Sequence, residues 1–562
     1  MKSFIMSEIM EITKRLGRFT TVLFCMCVTI PSLAQIAERE RPLEWKQLVD
    51  GARFRDRFMA MPVGKSATEN DWGAEGVRKR YVDNGIEDRE RSYWGGNILH
   101  ADDGKYHLYV CGWPENSAKG HMEWPNSIVY HTVSDNSIGP FKIVDTIGKG
   151  HNPELFRAKN GQYVIYVIDG YYISDSYNGP WKYNKFIFDQ RDRPIIEGLS
   201  NLTFAKREDG SNLMICRGGG VWFSETGLSP YQQVTDRRVY PAVEGEFEDP
   251  VVWRDHIQYH LIVNDWLGRI AFYQRSKDGV NWVTDPGEAY TPGISVHADG
   301  VEEDWFKYER IKVLQDGYGR AYQANFAVID VLKLDDRPND QHSSKNISIP
   351  LNPGILVEML NTEFPNAKTK SIRIKIRKEP DFDPAVELDL KSLRFGSSAE
   401  VNFGKGSRAI KMENNKEGII VTFENNGHGL TKDEFAPKII GRSKSGNLVF
   451  GYTRVPWVSY NEAILSARKP TVEKDQGKQI LQVRVDNFGQ VKSQGAELEL
   501  YAINGQDLTL IGRQSTSQLL PYAQAKVTIK SNLAAGQSHP MKLIIKERGA
   551  KHSSFNFDLK VD

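Results

Sequence analysis

The sequence predicts an all-β protein: a five-bladed β-propeller followed by β-sandwich domains. From about Trp94 to Val331 the chain repeats one pattern, in which a strand-like run, a turn of the Asp-Gly or Asn-Gly type and a second aromatic-rich strand follow each other. The turns recur at intervals of about 45 to 60 residues, which suits a four-stranded propeller blade. Beyond residue 340, short strands of alternating polarity continue to the C-terminus, a pattern typical of β-sandwiches.

Five such turns predict five blades. The fourth turn is degraded, and the five stand at Asp103-Gly104, Asn160-Gly161, Asp209-Gly210, Asp255-His256 and Asp316-Gly317. The run before each turn is predicted to be the innermost strand of its blade, and the run after it the second strand. All innermost strands then begin at the same end of a central channel, so the residues that open them are expected to surround one pocket.

The composition limits the classes of function. A chain of 562 residues is too long for one hydrophobic core and predicts two to four domains. Its 40% hydrophobic and 11% aromatic content argues against disorder. The balance of 73 basic against 72 acidic residues leaves no bulk charge for attracting nucleic acid or an anionic membrane. Binding is therefore expected to depend on local sites.

The first 34 residues are predicted to be an export signal. Lys14, Arg15 and Arg18 precede an apolar run over residues 20–30, and Ser32-Leu33-Ala34 has the pattern of a cleavage site. The alternative is an N-terminal membrane anchor, but the apolar run is much shorter than the roughly 20 residues that span a bilayer. The mature protein is therefore expected to be periplasmic or secreted, with no membrane insertion after the signal is removed.

Four regions are predicted after the signal. Residues 35–90 form an N-terminal extension, and residues 91–340 form the five-bladed catalytic propeller. Residues 341–470 are predicted to be a β-sandwich, and residues 471–562 an immunoglobulin-like accessory sandwich. The catalytic chemistry is expected in the propeller, because neither sandwich carries a catalytic pattern.

The residues that open the innermost strands supply the candidate catalytic pair. Aligned by the repeat, they are Gly95, Asn152, Asn201, Asp249 and Glu309. Asp249 and Glu309 then lie on adjacent blades, and hydrolysis of a glycosidic bond needs one protonated carboxyl and one carboxylate beside a water. The structural alternative is that Asp249-Pro250 caps a strand and that Glu309 forms a salt bridge with Arg310.

Further residues are predicted to bind the substrate. Sugars stack on aromatic rings while charged groups hold their hydroxyls, and arginines can hold a carboxylate or sulfate. The candidates in the ring and in the loops after the second strands are His151, Asn152, Asn201, Trp113, His121, Glu123, Trp124, Arg217, Asp265 and Arg310. His297 precedes Glu309 in a loop and is a candidate proton donor, although a solvated loop histidine is the alternative. Asp83, Asp88 or Glu90 is a candidate third carboxylate.

Three segments resemble a known group of enzymes. The segments His151-Asn152-Pro153, Glu248-Asp249-Pro250 and Ser276-Lys277-Asp278-Gly279 with Trp282 resemble the five-bladed propeller hydrolases of glycoside hydrolase families 43 and 117, over roughly residues 90–335. The resemblance implies a ring of acidic residues that releases terminal pentoses or 3,6-anhydro-galactose, generally with inversion. Carried over by position, it implies Asp249 and Glu309 as acidic members and His297 as a general acid of the family 117 kind.

The resemblance also narrows the expected substrate. Family 43 places its base aspartate in the first blade, where this chain has Gly95. That difference favours an exo-acting α-1,3-(3,6-anhydro)-galactosidase on agar or carrageenan oligosaccharides over an arabinofuranosidase or xylosidase.

Other function classes stay open. A polysaccharide lyase is one alternative, with His151, Tyr93 and Arg217 as candidate residues, and a non-catalytic glycan-binding propeller is another. No metal-binding motif is present, so no cofactor is expected, while a structural calcium or sodium ion and a homo-oligomer stay open.

Overall fold

The computed structural model of the protein confirms the predicted all-β class. It describes residues 38–67, 79–194, 199–228, 230–338, 340, 342, 344–475, 478–547 and 552–561. The predicted export signal over residues 1–34 lies outside this part of the chain. Helices in the described residues are short, with at most seven residues, at Leu43–Gln47, Phe54–Arg57, Gly120–Asn126, Pro384–Glu387, Leu390–Ser392 and Ser398–Val401.

Five consecutive antiparallel sheets follow the N-terminal extension. The first contains β1 (Arg91–His100), β2 (Tyr106–Pro114), β3 (Ile128–Ser134) and β4 (Lys142–Lys149), and the second β5 (Glu154–Arg157), β6 (Tyr163–Val167), β7 (Gly170–Ser174) and β8 (Lys182–Asn184). The third contains β10 (Thr203–Lys206), β11 (Asn212–Ile215), β12 (Val221–Ser224) and β13 (Tyr231–Gln233), with β9 (Phe188–Asp189) parallel to β13. The fourth contains β14 (Phe247–Arg254), β15 (Tyr259–Asp265), β16 (Ile270–Ser276) and β17 (Val283–Tyr290), and the fifth β18 (Lys307–Gln315), β19 (Ala321–Ile329) and β20 (Ser344–Pro350).

The first strands of these sheets contact one another in a closed cycle. β1 contacts β5, β5 contacts β10, β10 contacts β14, β14 contacts β18, and β18 returns to β1. The five predicted turns all fall between the first and second strands of their sheets. The fifth sheet extends past residue 340, where the sequence analysis places the end of the repeat, because β20 pairs along the length of β19.

Two further regions lie C-terminal to the five sheets. A seven-stranded sheet contains β21 (Val357–Met359), β22 (Ser371–Arg377), β23 (Arg394–Gly396), β24 (Ser407–Asn415), β25 (Gly418–Glu424), β26 (Lys438–Arg442) and β27 (Leu448–Tyr452). The last region has two four-stranded sheets that share one apolar core. They consist of β28 (Leu465–Ala467), β29 (Thr471–Asp475), β30 (Lys478–Asn487) and β33 (Gln524–Lys530), and of β31 (Ala496–Asn504), β32 (Asp507–Ser515), β34 (Gln537–Glu547) and β35 (Ser553–Val561).

Buried arginines join these regions. Arg191 of the third sheet reaches the last region, where its guanidinium lies 2.7 Å from Asp486 and donates to the Ser466 carbonyl at 2.8 Å. Arg57 of the N-terminal extension donates to the Tyr452 hydroxyl at 3.1 Å. Because such charges are costly to bury unless they are bonded, these contacts hold the C-terminal regions in fixed positions behind the five sheets.

Candidate functional site

The first strands of the five sheets share one backbone feature near their N-terminal ends. The residue at this position has a φ between 50° and 62° in all five sheets: Gly95, Asn152, Asn201, Asp249 and Arg310. In β1, β14 and β18 it begins a bulge, at which the pairing with the second strand skips a residue. Glycine, asparagine and aspartate tolerate this left-handed conformation best. We call these five residues the central ring.

The central ring corrects the sequence alignment by one residue in the fifth sheet. The equivalent of Asp249 is Arg310, whereas Glu309 is the equivalent of Glu248. Asp249 and Arg310 both lie six residues before the turns that begin at Asp255 and Asp316, so a count back from the turn already matches these two residues. The predicted pairing of Asp249 with Glu309 at equivalent positions is therefore wrong, and the carboxylates at equivalent positions of the two adjacent sheets are Glu248 and Glu309.

Hydrogen bonds connect the side chains of the central ring. Asn152 Nδ2 donates to Asn201 Oδ1 at 2.8 Å, and Asn201 Nδ2 donates to Asp249 Oδ1 at 2.9 Å. Arg310 Nη1 donates to the same oxygen at 3.0 Å, and the Arg310 backbone N–H donates to Asp249 Oδ2 at 3.1 Å. Asp249 and Arg310 are each 2% exposed. Both carboxylate oxygens of Asp249 are engaged, so the geometry gives it a structural role, as the ion-pair partner of Arg310. The salt bridge between Glu309 and Arg310 in the structural alternative is not formed, because Glu309 pairs with Lys307 and Lys333.

A second polar layer lies below the central ring. Lys312 forms an ion pair with Glu154, and Glu154 Oε1 accepts from the Thr203 hydroxyl at 3.2 Å. All three side chains are buried and come from three different sheets. The two layers thus connect the first strands of different sheets through buried polar side chains.

Glu248 lies above the central ring, where the first strands begin. Its side chain is 21% exposed, and Arg217 Nη2 lies 3.6 Å from its Oε2. Asn201 Nδ2 donates to its Oε1 at 3.1 Å. Burial raises the pKa of Glu248 to about 7, and the negative charges of Asp249 and Glu309 act in the same direction. The Glu248 carboxyl is therefore largely protonated below neutral pH.

Glu309 has the opposite electrostatic environment. Lys307 Nζ lies 3.3 Å from its Oε1, and Lys333 Nζ contacts its Oε2. Burial opposes ionisation, but the charges and hydrogen bonds of these two ammonium groups outweigh it and lower the pKa of Glu309 below the ordinary glutamate value. Two equivalent glutamates on neighbouring sheets thus hold one proton between them, the condition for one acid and one base.

Aromatic and imidazole rings form one wall of this site. The Trp94 ring lies 4.7 Å from Lys333 Nζ and 4.5 Å from the His121 ring. Trp124 lies 4.8 Å from His151, and Trp113 packs edge-on against His121 at 5.1 Å. Trp113 is 1% exposed, so it supports the wall from behind, while Trp124 is half-buried.

The two wall histidines are held neutral. Burial lowers the pKa of both His121 and His151 well below the ordinary histidine value, and nearby lysine or arginine charges act in the same direction. His121 Nδ1 lies 2.9 Å from the Ser344 hydroxyl, and His151 Nδ1 lies 2.9 Å from the Ser127 hydroxyl. Neutral imidazoles suit hydrogen bonding to sugar hydroxyls.

A narrow cleft continues the site next to Glu309. Its lining includes Asn264, Trp266, Arg269, Tyr290, Lys307 and Glu309. The Lys307 ammonium lies 4.8 Å from the centre of the Trp266 ring. The cleft has a volume of about 10 Å³, which holds roughly one water molecule, so it admits a water beside Glu309 but no sugar ring.

Several predicted site residues lie elsewhere. Asp265 is fully buried, and its carboxylate accepts from Arg39 and from the backbone N–H groups of Glu246 and Gly268. It fixes a turn and the N-terminal extension, which no sequence pattern indicated. Glu123 accepts from Asn126 Nδ2 within its own helical turn.

His297 does not contact the two glutamates. Its Nδ1 lies 2.7 Å from the Pro62 carbonyl and its Nε2 lies 3.0 Å from Glu303 Oε1. Burial lowers the pKa of His297, but these two hydrogen bonds outweigh it and raise the pKa. The geometry gives His297 a role in holding the N-terminal extension, with both ring nitrogens engaged.

Tyr93, considered for a lyase, is also engaged away from the site. It is fully buried and its hydroxyl donates to Asp88. Burial raises its pKa far above the ordinary tyrosine value, and the hydrogen bond to Asp88 acts in the same direction. A tyrosine in this state is unsuited to act as a base.

The sequence analysis missed Glu248 and both lysines as site residues. Glu248 belongs to the segment Glu248-Asp249-Pro250, but the one-residue alignment error matched Asp249, and not Glu248, with Glu309. Lys333 lies in the loop between β19 and β20, which is the loop after the second strand of the fifth sheet. The sequence analysis did not predict β20, so it did not predict this loop. Lys307 stands two residues before Glu309, so a Lys-x-Glu pattern at a strand start was the available signal.

A second perturbed carboxyl gives a prediction on stability. Glu115 is 5% exposed and accepts from the Ser92 hydroxyl. Burial raises its pKa to about 8, and the charges of Asp336, Asp340 and Asp330 contribute. A folded-state pKa above the unfolded value gives stability that is present at acid pH and is lost as the pH rises towards 8. Glutamine carries no charge at either pH, so we expect Glu115→Gln to be more favourable for the free energy of unfolding at pH 8 than at pH 5, by about 3 kcal/mol.

Urea unfolding of wild type and variant at both pH values measures this difference. Glu363→Gln, at an exposed position, is the matched control and should show no such pH dependence. Equal effects of Glu115→Gln at pH 5 and pH 8 would contradict the prediction.

Two further features of the described residues concern metal binding and membrane insertion. Within the described ranges, no group of three or more His, Cys, Asp and Glu side chains is placed to hold a metal ion. Among the helices of the same part of the chain, none has the length and apolar character needed to cross a membrane.

A comparison with solved structures finds matches of low TM-score and low sequence identity. They include a family 117 glycoside hydrolase from the marine bacterium Zobellia galactanivorans, with 13% identity over 53% of this chain and 90% of that chain and a TM-score of 0.38. An α-L-arabinofuranosidase from Lactobacillus brevis has 10% sequence identity, and the match covers 46% of this chain and 90% of that chain with a TM-score of 0.32. A variant of a GH43 protein from Bacillus licheniformis has 11% sequence identity, and the match covers 85% of this chain and 87% of that chain with a TM-score of 0.28. No family model and no curated protein matches the sequence.

Proposed function

We propose that this protein is a glycoside hydrolase in which Glu248 is the general acid and Glu309 the general base. The observation that carries the proposal is the pair of equivalent glutamates on adjacent sheets, one with a pKa raised to about 7 and one with a lowered pKa. We further infer that the five sheets are the blades of a five-bladed β-propeller. The closed cycle of first strands and the repeated φ value at the central ring support this inference.

The two glutamates would divide the reaction between them. The protonated Glu248 carboxyl transfers its proton to the glycosidic oxygen as the bond between that oxygen and the anomeric carbon breaks. Glu309 accepts a proton from a water whose oxygen forms the new bond to the anomeric carbon. The products are a free sugar and the shortened oligosaccharide, and exchange with solvent restores the two protonation states.

The positions of the side chains support these roles. Glu248 is the more exposed of the two and has Arg217 beside it, whereas Glu309 lines the cleft and is kept ionised by Lys307 and Lys333. Trp124 and the neutral His151 supply a stacking surface and a hydrogen-bonding group for the sugar.

The finer parts of the proposal come from the family resemblance. The substrate to test first is an agar or carrageenan oligosaccharide ending in 3,6-anhydro-galactose, released by an exo-acting enzyme with inversion. Export to the periplasm or the medium would place the enzyme with such polysaccharides. No cofactor is required by the proposed chemistry.

The pH dependence of the reaction tests the assignment. We expect kcat/KM to fall above pH about 7, because Glu248 then loses the proton that it must donate. We expect it to fall again below the ordinary glutamate pKa, because Glu309 then becomes protonated. The measurement is sugar release from a panel of algal galactan and plant oligosaccharides between pH 3.5 and 9.

Variants at the base position give the control. Glu309→Gln should abolish release, while Asp304→Asn, at an exposed position five residues earlier, should leave the profile unchanged. A product that absorbs in the near ultraviolet would show a lyase instead. Binding without any product would show a glycan-binding protein.

A further inference from the structure

His151 lies between two groups that each have a single proton to donate. Its Nδ1 is 2.9 Å from the Ser127 hydroxyl oxygen and 3.4 Å from Cys111 Sγ. The Ser127 hydroxyl donates to the Trp124 carbonyl within its own turn. The Cys111 thiol donates to the Trp94 carbonyl at 3.0 Å. Both protons are therefore engaged by carbonyl oxygens.

These contacts determine which nitrogen of His151 carries a proton. A carbonyl oxygen only accepts, so its contact with the Ser127 hydroxyl needs the serine proton. Burial raises the pKa of Cys111 to about 12, so this thiol keeps its proton and gives it to the other carbonyl. The 2.9 Å contact between Nδ1 and Ser127 Oγ then contains a hydrogen only if the imidazole supplies it. His151 is therefore protonated on Nδ1.

The other nitrogen of His151, Nε2, is left with a lone pair. Burial lowers the pKa of His151 well below the ordinary histidine value, and the charges of Arg310 and Lys333 act in the same direction, so the ring holds one proton only. Among the described residues, none forms a hydrogen bond with Nε2, and this atom is not one of the unpaired atoms enclosed away from solvent. Lys333 contacts Glu309, so the lone pair belongs to the same site as the glutamate pair.

We propose that Ser127 is a positioning residue that holds His151 in the Nδ1–H tautomer, and that Nε2 accepts a hydrogen bond from a hydroxyl of the sugar stacked on Trp124. The tautomer follows from this chain alone, whereas the ligand rests on the glycoside hydrolase function proposed above. In the other tautomer Nε2 would donate, so the serine decides the direction of this bond. The site then selects sugars with a free hydroxyl at this position over deoxy or O-methylated sugars.

Nitrogen NMR of the protein labelled with ¹⁵N-histidine reads the tautomer without ligand or turnover. Protonated and unprotonated imidazole nitrogens have separate chemical shifts. The variant His151→Gln identifies the signals of this ring by their disappearance, and the same signals should shift in Ser127→Ala. Between pH 6 and 8 we expect a protonated Nδ1 and an unprotonated Nε2 in wild type. A ring protonated on Nε2, or on both nitrogens, would overturn the proposal.

Serine variants separate positioning from a general effect on stability. Ser127→Ala removes the acceptor for Nδ1–H, so both nitrogens should move towards the shifts of a mixture of tautomers. Ser127→Thr keeps the hydroxyl and should restore the wild-type spectrum. Ser117→Ala is the matched control, because the Ser117 hydroxyl also donates to the carbonyl three residues earlier, that of Pro114. A spectrum of Ser127→Ala identical to that of wild type would overturn the role of Ser127.

Binding to the inactive Glu309→Gln variant tests the ligand. The probes are the oligosaccharide that wild type hydrolyses and its forms with one hydroxyl of the terminal sugar removed, measured by calorimetry. We expect one deoxy form to bind about 3- to 10-fold more weakly than the parent, and this loss to disappear when Ser127→Ala is added.

The outcomes of the binding test separate this inference from the proposed function. If no deoxy form shows a loss that depends on Ser127, the ligand assigned to Nε2 is wrong even though the enzyme hydrolyses its substrate. If no tested oligosaccharide is bound or hydrolysed, the proposed function is wrong and with it the ligand, while the spectra still decide the role of Ser127.

Discussion

Replacing Glu248 with glutamine should lower kcat for a natural oligosaccharide by about 10²- to 10⁴-fold. Glutamine has nearly the shape of the protonated acid and can still accept from Asn201, but it has no acidic proton for the leaving oxygen. KM should change little, because binding does not require the proton transfer. Steady-state kinetics below pH 7, where wild-type Glu248 is protonated, measures the effect.

The leaving group provides a sharper test of the same assignment. An aryl glycoside with an acidic phenol leaves without protonation, so Glu248→Gln should lose much less activity on it than on the oligosaccharide. Glu246→Gln, at an exposed position on the same segment, should behave as wild type on both substrates. An equal loss on both substrates would assign Glu248 to binding or structure instead of proton donation.

Replacing Arg310 with methionine should destabilise the protein by about 3 to 5 kcal/mol. The change leaves the Asp249 carboxylate, which is 2% exposed, without its ion-pair partner in the middle of the five sheets. Methionine has a similar length and is no worse than arginine at a φ of 52°, so the effect reports the lost charge and not backbone strain. Urea unfolding of the purified protein measures the difference.

A double variant isolates the unpaired charge. Adding Asp249→Asn to Arg310→Met removes the buried negative charge and should recover part of the lost stability, because much of the penalty comes from an uncompensated ion. Arg373→Met is the surface control, with an expected change within about 0.5 kcal/mol. A loss below about 1 kcal/mol for Arg310→Met would mean that the ion pair does not stabilise the central ring.

The repeat in the sequence was sufficient to locate most of the strands around the site. The aromatic runs and Asp-Gly turns are local features, so β1, β2, β14, β15, β18 and β19 could be found without knowledge of the tertiary structure. The position in the fifth sheet was also within reach, because Arg310 and Asp249 lie six residues before their turns and begin the same bulge, but the sequence alignment matched Glu309 instead. That one-residue difference moved the equivalent of Asp249 from Arg310 to Glu309 and hid the role of Glu248.

Long-range partners explain the other differences. Asp265 and His297 were predicted at the site because charged loop residues near a pocket often bind ligands. Their partners, Arg39 and Pro62, lie more than 200 positions away in the N-terminal extension, whose structure the sequence did not reveal. The charge of Lys333 on Glu309 likewise emerges only when the fifth sheet is assembled, whereas Lys307 lies two residues before Glu309 on the same strand.

The two polar layers between the first strands also bear on how substrate enters the site and how product leaves it. The side chains of the central ring and of Glu154, Thr203 and Lys312 bond to one another between the first strands of the five sheets. On the proposed function, we expect a sugar released beside Glu248 to leave by the opening through which the next oligosaccharide arrives, and not between these strands. The product and the next oligosaccharide then use the same opening, so at high product concentration the released sugar should compete with the substrate and slow turnover.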